Sequence, residues 1–384
     1  MSAGASQMSA GANPISRRLL LVGAGHAHAQ VLKGWAESPL PGVELVVVSP
    51  HALAPYSGMV PGWLAGTYDF DDIVIDFSSL CERAGARWVP AELLRLDPRH
   101  RHLELSNGER LRYDLLSLNV GSTLTPPAGD FSARVLPMRP LAELRERYGL
   151  LLAQWRDDDR DQPFRITAVG GGAAGFESLL AVLRRLRDLR PGRRVEGTLL
   201  TRSPDVLPGH PAAAQRAAMR ALSEANVSLQ AGSDWSGEAG QGADLVLWAT
   251  GAQAHAWQRD PQCRGELAVS PEGFVQVDET LRSVSHPDVL AAGDCAQWLR
   301  PLPKAGVFAV RMGPVLLHNL QASLAGRPLR PYRPQTAFLS LLATADGRAI
   351  ASRGAWSLSG RWAWRLKDRI DRGFIRRFSS QAGS

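Results

Sequence analysis

Apolar residues near the start of the chain follow two patterns, and the change between them falls on a pair of glycines. The apolar run 19–22, which follows Arg18, has the length of a buried strand and ends at Gly23 and Gly25. Apolar residues at helical spacing follow over 31–35, and a second apolar run lies at 43–48. The pattern therefore predicts a β-α-β unit with a tight glycine turn.

The same order returns in the middle of the chain. A strand pattern at 165–169 runs into Gly170–Gly175, a complete G-x-G-x-x-G, and apolar residues at helical spacing follow over 176–186. A later apolar run at 195–200 closes this unit. In such units the glycines let the backbone approach a pyrophosphate, and the helix N-terminus offers N–H groups and a positive dipole end to it. Two units in one chain predict two nucleotides laid end to end.

The first unit departs from the dinucleotide-binding pattern at two places. His28 stands where a third glycine or an alanine is usual. The second strand ends in Ser49-Pro50 rather than in the acidic residue that would hold a ribose hydroxyl. Taken alone, this unit leaves open a strand, turn and helix of another α/β fold, and the second copy is what favours nucleotide binding.

The rest of the chain alternates strand and helix patterns, as in an α/β fold. Glycines and prolines within 50–62, including both of its ends, predict an ordered loop at the carboxyl end of the sheet, where ligands bind. Two later apolar strands end at Gly251 and at Gly293-Asp294, and a carboxylate there can accept hydrogen bonds from ribityl hydroxyls. The remaining predicted elements are helices at 76–84, 141–155 and 310–324, and strands at 87–96, 101–105 and 110–119.

Residues 330–384 follow a pattern of their own. Two strand patterns, 338–344 and 348–355, predict a strand pair, and a basic, aromatic helical pattern follows. Such a helix suits the interface of an anionic membrane, whereas apolar stripes are most often buried within the protein. We predict a docked helix with at most peripheral membrane contact over 360–378. The residues expected near one side, the apolar one, are Trp362, Leu366, Arg369 with Ile370, and Phe374.

Composition narrows the functional classes. The chain has 384 residues and a formal net charge of +7, enough length for two to three domains with cores of their own. Nearly all of its basic residues are arginines, and no basic face with interleaved aromatics stands out before the C-terminus, so we expect no nucleic-acid partner. Small residues repeat within 1–16, which predicts a disordered tail.

Cysteine and histidine usage fits a reducing cytoplasm without a metal site. Cys81, Cys263 and Cys295 lie far apart and form no C-x-x-C pair, so no local redox disulfide or zinc knuckle is predicted. The His26/His28 pair and its counterpart at 100–102 are interpreted as turn and surface histidines. No apolar run reaches the length of a membrane span. The sequence leaves the oligomeric state open.

Four motifs in this order resemble the two-dinucleotide flavoproteins of the pyridine nucleotide-disulfide oxidoreductase superfamily, without the redox disulfide. They lie at 23–25, 170–177, 249–251 and 292–294. Within that group the chain is similar to type II NADH dehydrogenases. It is closer still to the FAD-dependent reductase domain fused ahead of selenide, water dikinase. The segments behind this closer match are 25–28, 55–59, 304–311 and the Trp/Arg-rich C-terminus.

The resemblance implies an α/β fold with two Rossmann-like domains, one for FAD and one for NAD(P), and a small C-terminal segment. The implied FAD domain is discontinuous, at 17–125 and 275–329, and the NAD(P) domain covers 140–274. Expected FAD contacts are Gly23, Gly25, His26, Ala27, Ser49, Pro50, Ser57, Gly58, Gly121, Gly293, Asp294, Ala305 and Gly306. Expected NAD(P)H contacts are Gly170, Gly172, Gly175, Thr201, Arg202 and Gly251.

The implied activity is hydride transfer from NAD(P)H to FAD, with electrons passed on to an unidentified small-molecule acceptor. Glu177 is expected near the nicotinamide, and Lys304 and Arg311 are candidates for tuning the flavin. Val307 and Arg311 stand where type II dehydrogenases carry quinone-flanking glutamines, which disfavours a quinone. Arg202 replaces the acidic ribose ligand and either favours NADPH or is a surface arginine.

Two alternatives to this reading stay open. One is a membrane-peripheral NADH:quinone reductase, on the inner face of the membrane rather than free in the cytoplasm. The other is a flavin-bearing docking partner of a selenium-handling enzyme. An enzyme would oxidise NAD(P)H with an artificial acceptor, whereas a docking protein would not.

Overall fold

The computed structural model describes residues 17–126, 134–235 and 242–379, so the predicted tail at 1–16 lies outside the described residues. The first part of the chain forms strands around the first glycine turn. Its elements are β1 (Arg17–Val22), α1 (His26–Glu37), β2 (Val43–Val48), β3 (Leu53–Pro55), α2 (Val60–Leu64), β4 (Val74–Asp76), α3 (Phe77–Ala84), β5 (Arg87–Val89), β6 (Leu93–Asp97), β7 (His102–Leu105), β8 (Arg110–Arg112) and β9 (Leu115–Leu118).

The middle of the chain forms a second parallel sheet around the second glycine turn. Its strands lie in the order β10-β14-β11-β12-β13, all parallel. The elements of this part are β10 (Arg134–Pro137), α4 (Leu141–Arg156), β11 (Phe164–Val169), α5 (Ala173–Leu189), β12 (Val195–Thr201), α6 (Ala212–Glu224), β13 (Val227–Ala231), β14 (Leu245–Trp248), α7 (Ala256–Arg259) and α8 (Pro261–Arg264).

The chain then returns to the first sheet and completes it. This part contains β15 (Val275–Val277), β16 (Val289–Ala291), β17 (Ala296–Trp298) and α9 (Gly306–Leu324). Strand β16 pairs with β9, which gives the first sheet the parallel order β16-β9-β1-β2-β5. Helix α9 packs along α1 on one face of that sheet.

Both faces of the first sheet are covered, which explains why its strands are apolar without alternation. Leu19 and Leu21 point into the core that includes α1 and α9, whereas Leu20 and Val22 point into a second core. That second core includes Leu103 of the small antiparallel sheet β6-β7-β8. Continuous apolar runs are typical of parallel strands buried on both sides. The predicted α/β fold with two Rossmann-like sheets is confirmed, and the exact domain boundaries stay a prediction.

The C-terminal residues form three antiparallel strands rather than the predicted pair. These are β18 (Ser340–Ala343), β19 (Ala349–Arg353) and β20 (Trp356–Gly360), and they are followed by α10 (Arg361–Ile375). The third strand was missed because Ser357 and Ser359 alternate with Trp356 and Leu358 at the solvent-facing edge of the sheet, so its sequence is short and half polar.

Helix α10 docks on the protein, but not by the apolar side that the sequence predicts. Trp362 and Ile370 are 44% and 45% exposed, whereas Lys367 and Asp371 are each only 5% exposed. The amine and the carboxylate lie 2.7 Å apart, one helical turn from each other, and so neutralise each other in the interior. The predicted apolar side is therefore wrong at Trp362 and Ile370, because a paired charge can be buried in place of a bulky indole, whereas Phe374 is buried as predicted.

Candidate functional site

A cavity of about 470 Å³ opens at the carboxyl ends of β1, β2, β9 and β16. This is where open α/β sheets bind ligands, and the volume lies within the range of small-molecule sites, about 300–1,000 Å³. The cavity extends from the first glycine turn to the carboxylate after β16. Of the residues predicted to hold FAD, those that line it are Gly23, Gly25, His26, Ser49, Pro50, Ser57, Gly121, Asp294 and Gly306.

The glycine turn between β1 and α1 is closed from behind by an asparagine that sequence reasoning missed. A Cβ atom on Gly25 would lie 2.1 Å from the Asn119 side-chain oxygen. That oxygen accepts hydrogen bonds from the backbone N–H groups of Ala27 and His28, at 3.1 and 3.2 Å. The Asn119 amide donates to the Ala292 carbonyl at 2.7 Å. Gly25 is thus required by the packing of Asn119, which leaves the outer side of the turn free to face a phosphate.

The two histidines of the first turn are not surface residues, which corrects the interpretation from sequence. His28 is fully buried, with Nδ1 2.7 Å from the Gly23 carbonyl and Nε2 2.8 Å from the Ser117 hydroxyl. Burial lowers the pKa of His28 to about 4, and it also lowers the pKa of His26 to about 4. His28 therefore fills the place of the third glycine as a neutral, hydrogen-bonded core residue.

Asp294 is held at the far end of the cavity by a cation that the sequence did not indicate. Its Oδ2 atom accepts hydrogen bonds from the Arg139 guanidinium and, at 3.2 Å, from the Ser122 hydroxyl. Arg139 also donates to the Ser122 hydroxyl and lies 3.4 Å from the Lys304 carbonyl. It belongs to the segment between β10 and α4, where nothing in the local sequence marks it as a ligand.

The two cations predicted to tune the flavin do not line this cavity. The Lys304 amine donates to the Ala296 carbonyl at 2.6 Å and lies 3.8 Å from the centre of the Phe274 ring. Burial lowers the pKa of Lys304. Arg311 is exposed on α9. Lys304 precedes α9 and Arg311 lies on it, and the sequence alone could not show which way these two side chains point.

The second glycine turn meets the same cavity from the other sheet. A Cβ atom on Gly170 would lie 2.4 Å from the Ala249 carbonyl, and one on Gly175 would lie 1.9 Å from the Gly170 carbonyl. A Cβ atom on Gly172, at the start of α5, would meet no atom within 4 Å. The second unit also contributes to the wall of this cavity. The contributing residues are Ala174, Ser178, Ala249 and Thr250.

The other predicted NAD(P)H residues stand at the carboxyl edge of the second sheet. Thr201 ends β12, is buried, and packs against Gly171. Arg202 follows it and is exposed, so it is free to meet a ligand from solvent. Gly251 lies three residues after β14 and is exposed too.

Glu177 lies in the second turn of α5 and is held by the C-terminal segment. Its Oε1 atom accepts a hydrogen bond from the Ala343 N–H at 2.7 Å. Burial raises the pKa of Glu177 to about 7, an effect that the nearby Lys367 ammonium opposes. A carboxyl group with a pKa near neutrality is suited to exchanging a proton at physiological pH.

The same C-terminal helix supports the loop that forms one wall of the cavity. The Lys367 ammonium donates to the Gly58 carbonyl at 2.5 Å and to Asp371 at 2.7 Å. Asp371 in turn accepts a hydrogen bond from the Tyr56 hydroxyl, and burial raises the pKa of both groups. The Tyr56 ring packs against the Phe374 ring at a centroid distance of 4.5 Å. The predicted contact Gly58 is therefore fixed by α10.

Three further predicted FAD contacts stand behind the wall rather than on it. Ala27 lies in the first turn of α1, Gly293 follows β16, and Ala305 precedes α9. The Ala27 N–H donates to the Asn119 side-chain oxygen at 3.1 Å. No helix within the described ranges combines the length and the apolar character needed to cross a bilayer.

The residues present fit a bound FAD. The cavity joins a glycine turn, whose outer side is open, to a carboxylate that can accept hydrogen bonds from hydroxyl groups. At the second turn, a Cβ atom on Gly172 would meet no atom within 4 Å, which leaves space there for a second nucleotide.

The chain is similar to curated relatives at low sequence identity. The alternative NAD(P)H-ubiquinone oxidoreductase C1 of Arabidopsis thaliana is 25% identical over 342 residues, which cover 76% of this chain and 64% of that protein. The chain thus spans less than two thirds of the length of this relative. The type II NADH:quinone oxidoreductase of Staphylococcus saprophyticus is 21% identical over 348 residues, which cover 82% and 85% of the two chains.

A solved structure agrees on the fold. The sulfide:quinone oxidoreductase of Aquifex aeolicus superposes with a TM-score of 0.76 at 16% identity, over 94% of this chain and 91% of that one. The pyridine nucleotide-disulphide oxidoreductase family matches residues 17–313, which include both glycine turns and Asp294. The predictions of an oxidoreductase and of FAD and NAD(P)H as cofactors are thereby confirmed. The chain belongs to the pyridine nucleotide-disulphide oxidoreductase family.

Proposed function

We propose that this protein oxidises NAD(P)H and passes the electrons through bound FAD to a small-molecule acceptor. One observation carries the proposal: a single cavity is lined both by the first glycine turn and by Ala174, Ser178, Ala249 and Thr250 of the second unit. Two nucleotides bound at the two turns would therefore meet in one space. FAD, when bound, supplies two-electron acceptance from a nicotinamide and release to an acceptor.

The chain's own residues position these groups and manage a proton. The glycine turns offer backbone N–H groups at the start of α1 and α5, and Asp294 offers a hydrogen-bond acceptor. Glu177 keeps Oε1 on the Ala343 N–H, so Oε2 is the atom that we assign to the exchangeable proton. The Lys367 ammonium stabilises the ionised carboxylate after that proton has left.

The test is a measurement of cofactor content and turnover. Purified protein should contain FAD, and anaerobic NADH or NADPH should bleach the yellow absorbance of the flavin. Turnover should then appear with an artificial acceptor such as ferricyanide. Flavin that stays oxidised under both nucleotides would contradict the proposal and favour the docking-partner alternative.

We infer a preference for NADPH from Arg202, because an exposed guanidinium at the end of β12 can meet a 2′-phosphate. Arg202→Glu should raise the KM for NADPH at least tenfold more than the KM for NADH, as expected for losing a charge-assisted contact. Arg220→Glu, an exposed arginine on α6, is the matched control. Equal effects on both nucleotides would identify Arg202 as a surface residue.

Peripheral contact with a membrane is a second proposal, favoured by the outer face of α10. Trp362 and Ile370 are exposed there, close to the exposed Trp356 and Leu358 of β20. Arginines flank this surface, and aromatic and basic residues together suit the interface of anionic lipids. Such a position would give access to a lipid-soluble acceptor, such as the quinones named for the relatives. The flanking arginines are Arg361, Arg365 and Arg369.

Vesicle binding tests this second proposal without removing α10, whose inner face supports the cavity wall. We expect the wild-type protein to sediment with phosphatidylglycerol vesicles, and Trp362→Ser with Ile370→Ser to release it. Leu299→Ser removes a still more exposed apolar residue, which lies on neither α10 nor β20, and should change nothing. Binding that survives the double substitution, or no binding at all, would contradict the membrane proposal.

The similarity to the reductase domain of selenide, water dikinase fusions stays a prediction. If the protein is a docking partner rather than an enzyme, its binding to a selenide, water dikinase would not require NAD(P)H. Turnover with an artificial acceptor therefore separates the two, since a docking protein would show none.

A further inference from the structure

We propose that His28 is a positioning residue for FAD, which sets the orientation of the first glycine turn by holding the Gly23 carbonyl. The Nδ1 atom of His28, on α1, lies 2.7 Å from that carbonyl oxygen. In a trans peptide the C=O and the following N–H point in opposite directions. The bond to His28 therefore turns the Ala24 N–H away from the imidazole, and Ala24 lines the cavity. This N–H is thereby offered to the FAD diphosphate.

The second glycine turn of the same chain shows what His28 replaces. Gly175 also stands five residues after the first glycine of its turn, and a Cβ atom on it would lie 1.9 Å from the Gly170 carbonyl oxygen. There the carbonyl is in direct contact with a residue that has no side chain. In the first turn a side chain is present, and its hydrogen bond takes the place of that contact. The first turn is thus held by one imidazole, whereas the second is held by close packing.

Ser117 on β9 fixes the imidazole in the form that this role needs. The Gly23 carbonyl can only accept, so Nδ1 carries the proton of the neutral ring and donates it to the bond. Nε2 is then an acceptor, and the Ser117 hydroxyl lies 2.8 Å from it. Burial lowers the pKa of His28 to about 4, which keeps the ring neutral at physiological pH. Ser117 is fully buried in a strand of leucines, and the bond to His28 explains a hydroxyl at that place.

The alternative is that His28 only fills the space between α1 and the sheet. The FAD affinity of a variant would then follow the volume of its side chain, since cavities in the core are costly. Under the positioning role, the affinity would instead follow the hydrogen bond to Gly23. Asparagine and glutamine separate the two possibilities. The asparagine amide nitrogen corresponds in position to Nδ1 of histidine, whereas the amide nitrogen of the larger glutamine corresponds to Nε2.

The experiment titrates FAD into cofactor-free protein by calorimetry. His28→Asn can keep the bond to Gly23 and should bind FAD within about threefold of wild type. His28→Gln and His28→Leu lose that bond and should bind FAD roughly 10- to 100-fold more weakly, as expected for a buried acceptor left without its donor. His210→Leu is the matched control, because His210 also contacts a serine, Ser352, and does not line the cavity. It should leave the FAD affinity unchanged.

Equal affinities for His28→Asn and His28→Gln, or tighter binding by His28→Gln, would overturn the proposal in favour of space filling. If His28→Leu does not fold, as judged by circular dichroism, the asparagine and glutamine variants decide. Nitrogen NMR of wild-type protein labelled at histidine is an independent readout, in which the His28 signal is the one missing from a His28 variant. The ring should carry its proton on Nδ1, and a proton on Nε2 would overturn the proposal.

This inference rests on the FAD binding of the proposed function and not on its turnover. Both readouts are measured without NAD(P)H. Wild-type protein that binds FAD but does not oxidise NAD(P)H would therefore contradict the proposed function and leave the test of His28 valid.

Discussion

Gly172 and Gly175 stand three residues apart in the second glycine turn, yet they constrain the protein in different ways. A methyl group on Gly175 would strike the Gly170 carbonyl, whereas one on Gly172 would point into open space. Gly175 is therefore needed by the fold, and Gly172 is needed only by what binds there.

We expect Gly172→Val to slow reduction of the flavin by NAD(P)H at least tenfold, because the new side chain would occupy the space of the nucleotide phosphates. FAD content should stay normal, since Gly172 does not line the FAD cavity. Anaerobic stopped-flow absorbance measures the reduction, and the absorbance of the purified protein gives the FAD content. Unchanged reduction would show that the second turn does not hold the nicotinamide nucleotide.

The raised pKa of Glu177 has a consequence for stability. A carboxyl group whose pKa is raised in the folded state stabilises the fold below its ordinary pKa, and this contribution is lost as the pH rises through the folded value, here about 7. The wild-type protein should therefore lose stability between about pH 5 and about pH 8, whereas Glu177→Gln should not. The free energy of unfolding of the variant should rise relative to that of wild type over this range. Urea melts at several pH values measure it, and a constant difference would contradict the raised pKa.

At the scale of single residues, the sequence revealed what is local and missed what is brought together by folding. The glycines of both turns could be found because they are adjacent in the chain. Asn119 could not be found, because it lies about ninety residues after the turn. Arg139 could not be found either, because it lies in a connecting segment, and only folding brings the two residues to the cavity.

At the scale of elements, the buried ion pair of α10 is the feature with the largest expected cost of removal. Lys367→Met would leave Asp371 buried without its partner and free the Gly58 carbonyl. We expect the free energy of unfolding to fall by about 3–5 kcal/mol. Lys33→Met removes the same kind of pair, with Glu37, from the exposed surface of α1 and should cost at most about 0.5 kcal/mol.

Chemical denaturation of the two variants compares these costs directly. A similar small loss for both would mean that the amine of Lys367 is solvated in solution.

The helix itself was predicted from its spacing, and so was β2, whose observed bounds are those of its apolar run. The buried face of α10 was not predicted. A helical pattern assigns polar residues to the solvent, and it does not show that a lysine and an aspartate neutralise each other in the interior.

At the scale of the whole molecule, FAD should act as a stabilising ligand. The cofactor cavity is lined by residues of both sheets, so binding joins them. With FAD at about 100 times its Kd, the free energy of unfolding should rise by about 2.7 kcal/mol. Denaturation with and without FAD measures this gain, and Gly172→Val should show it in full. No gain with FAD would mean that the cavity does not bind it in the native state.

The return of the chain to its first sheet also sets an order of events during synthesis. Strands β1, β2, β5 and β9 are complete by Leu118, but their neighbour β16 and the helix α9 that covers them end only at Leu324. At usual translation rates the first sheet therefore waits on the order of 10–40 s for its last pieces. The second sheet is made wholly within that interval. On the ribosome, the second sheet can thus be complete first, although four strands of the first sheet are translated earlier.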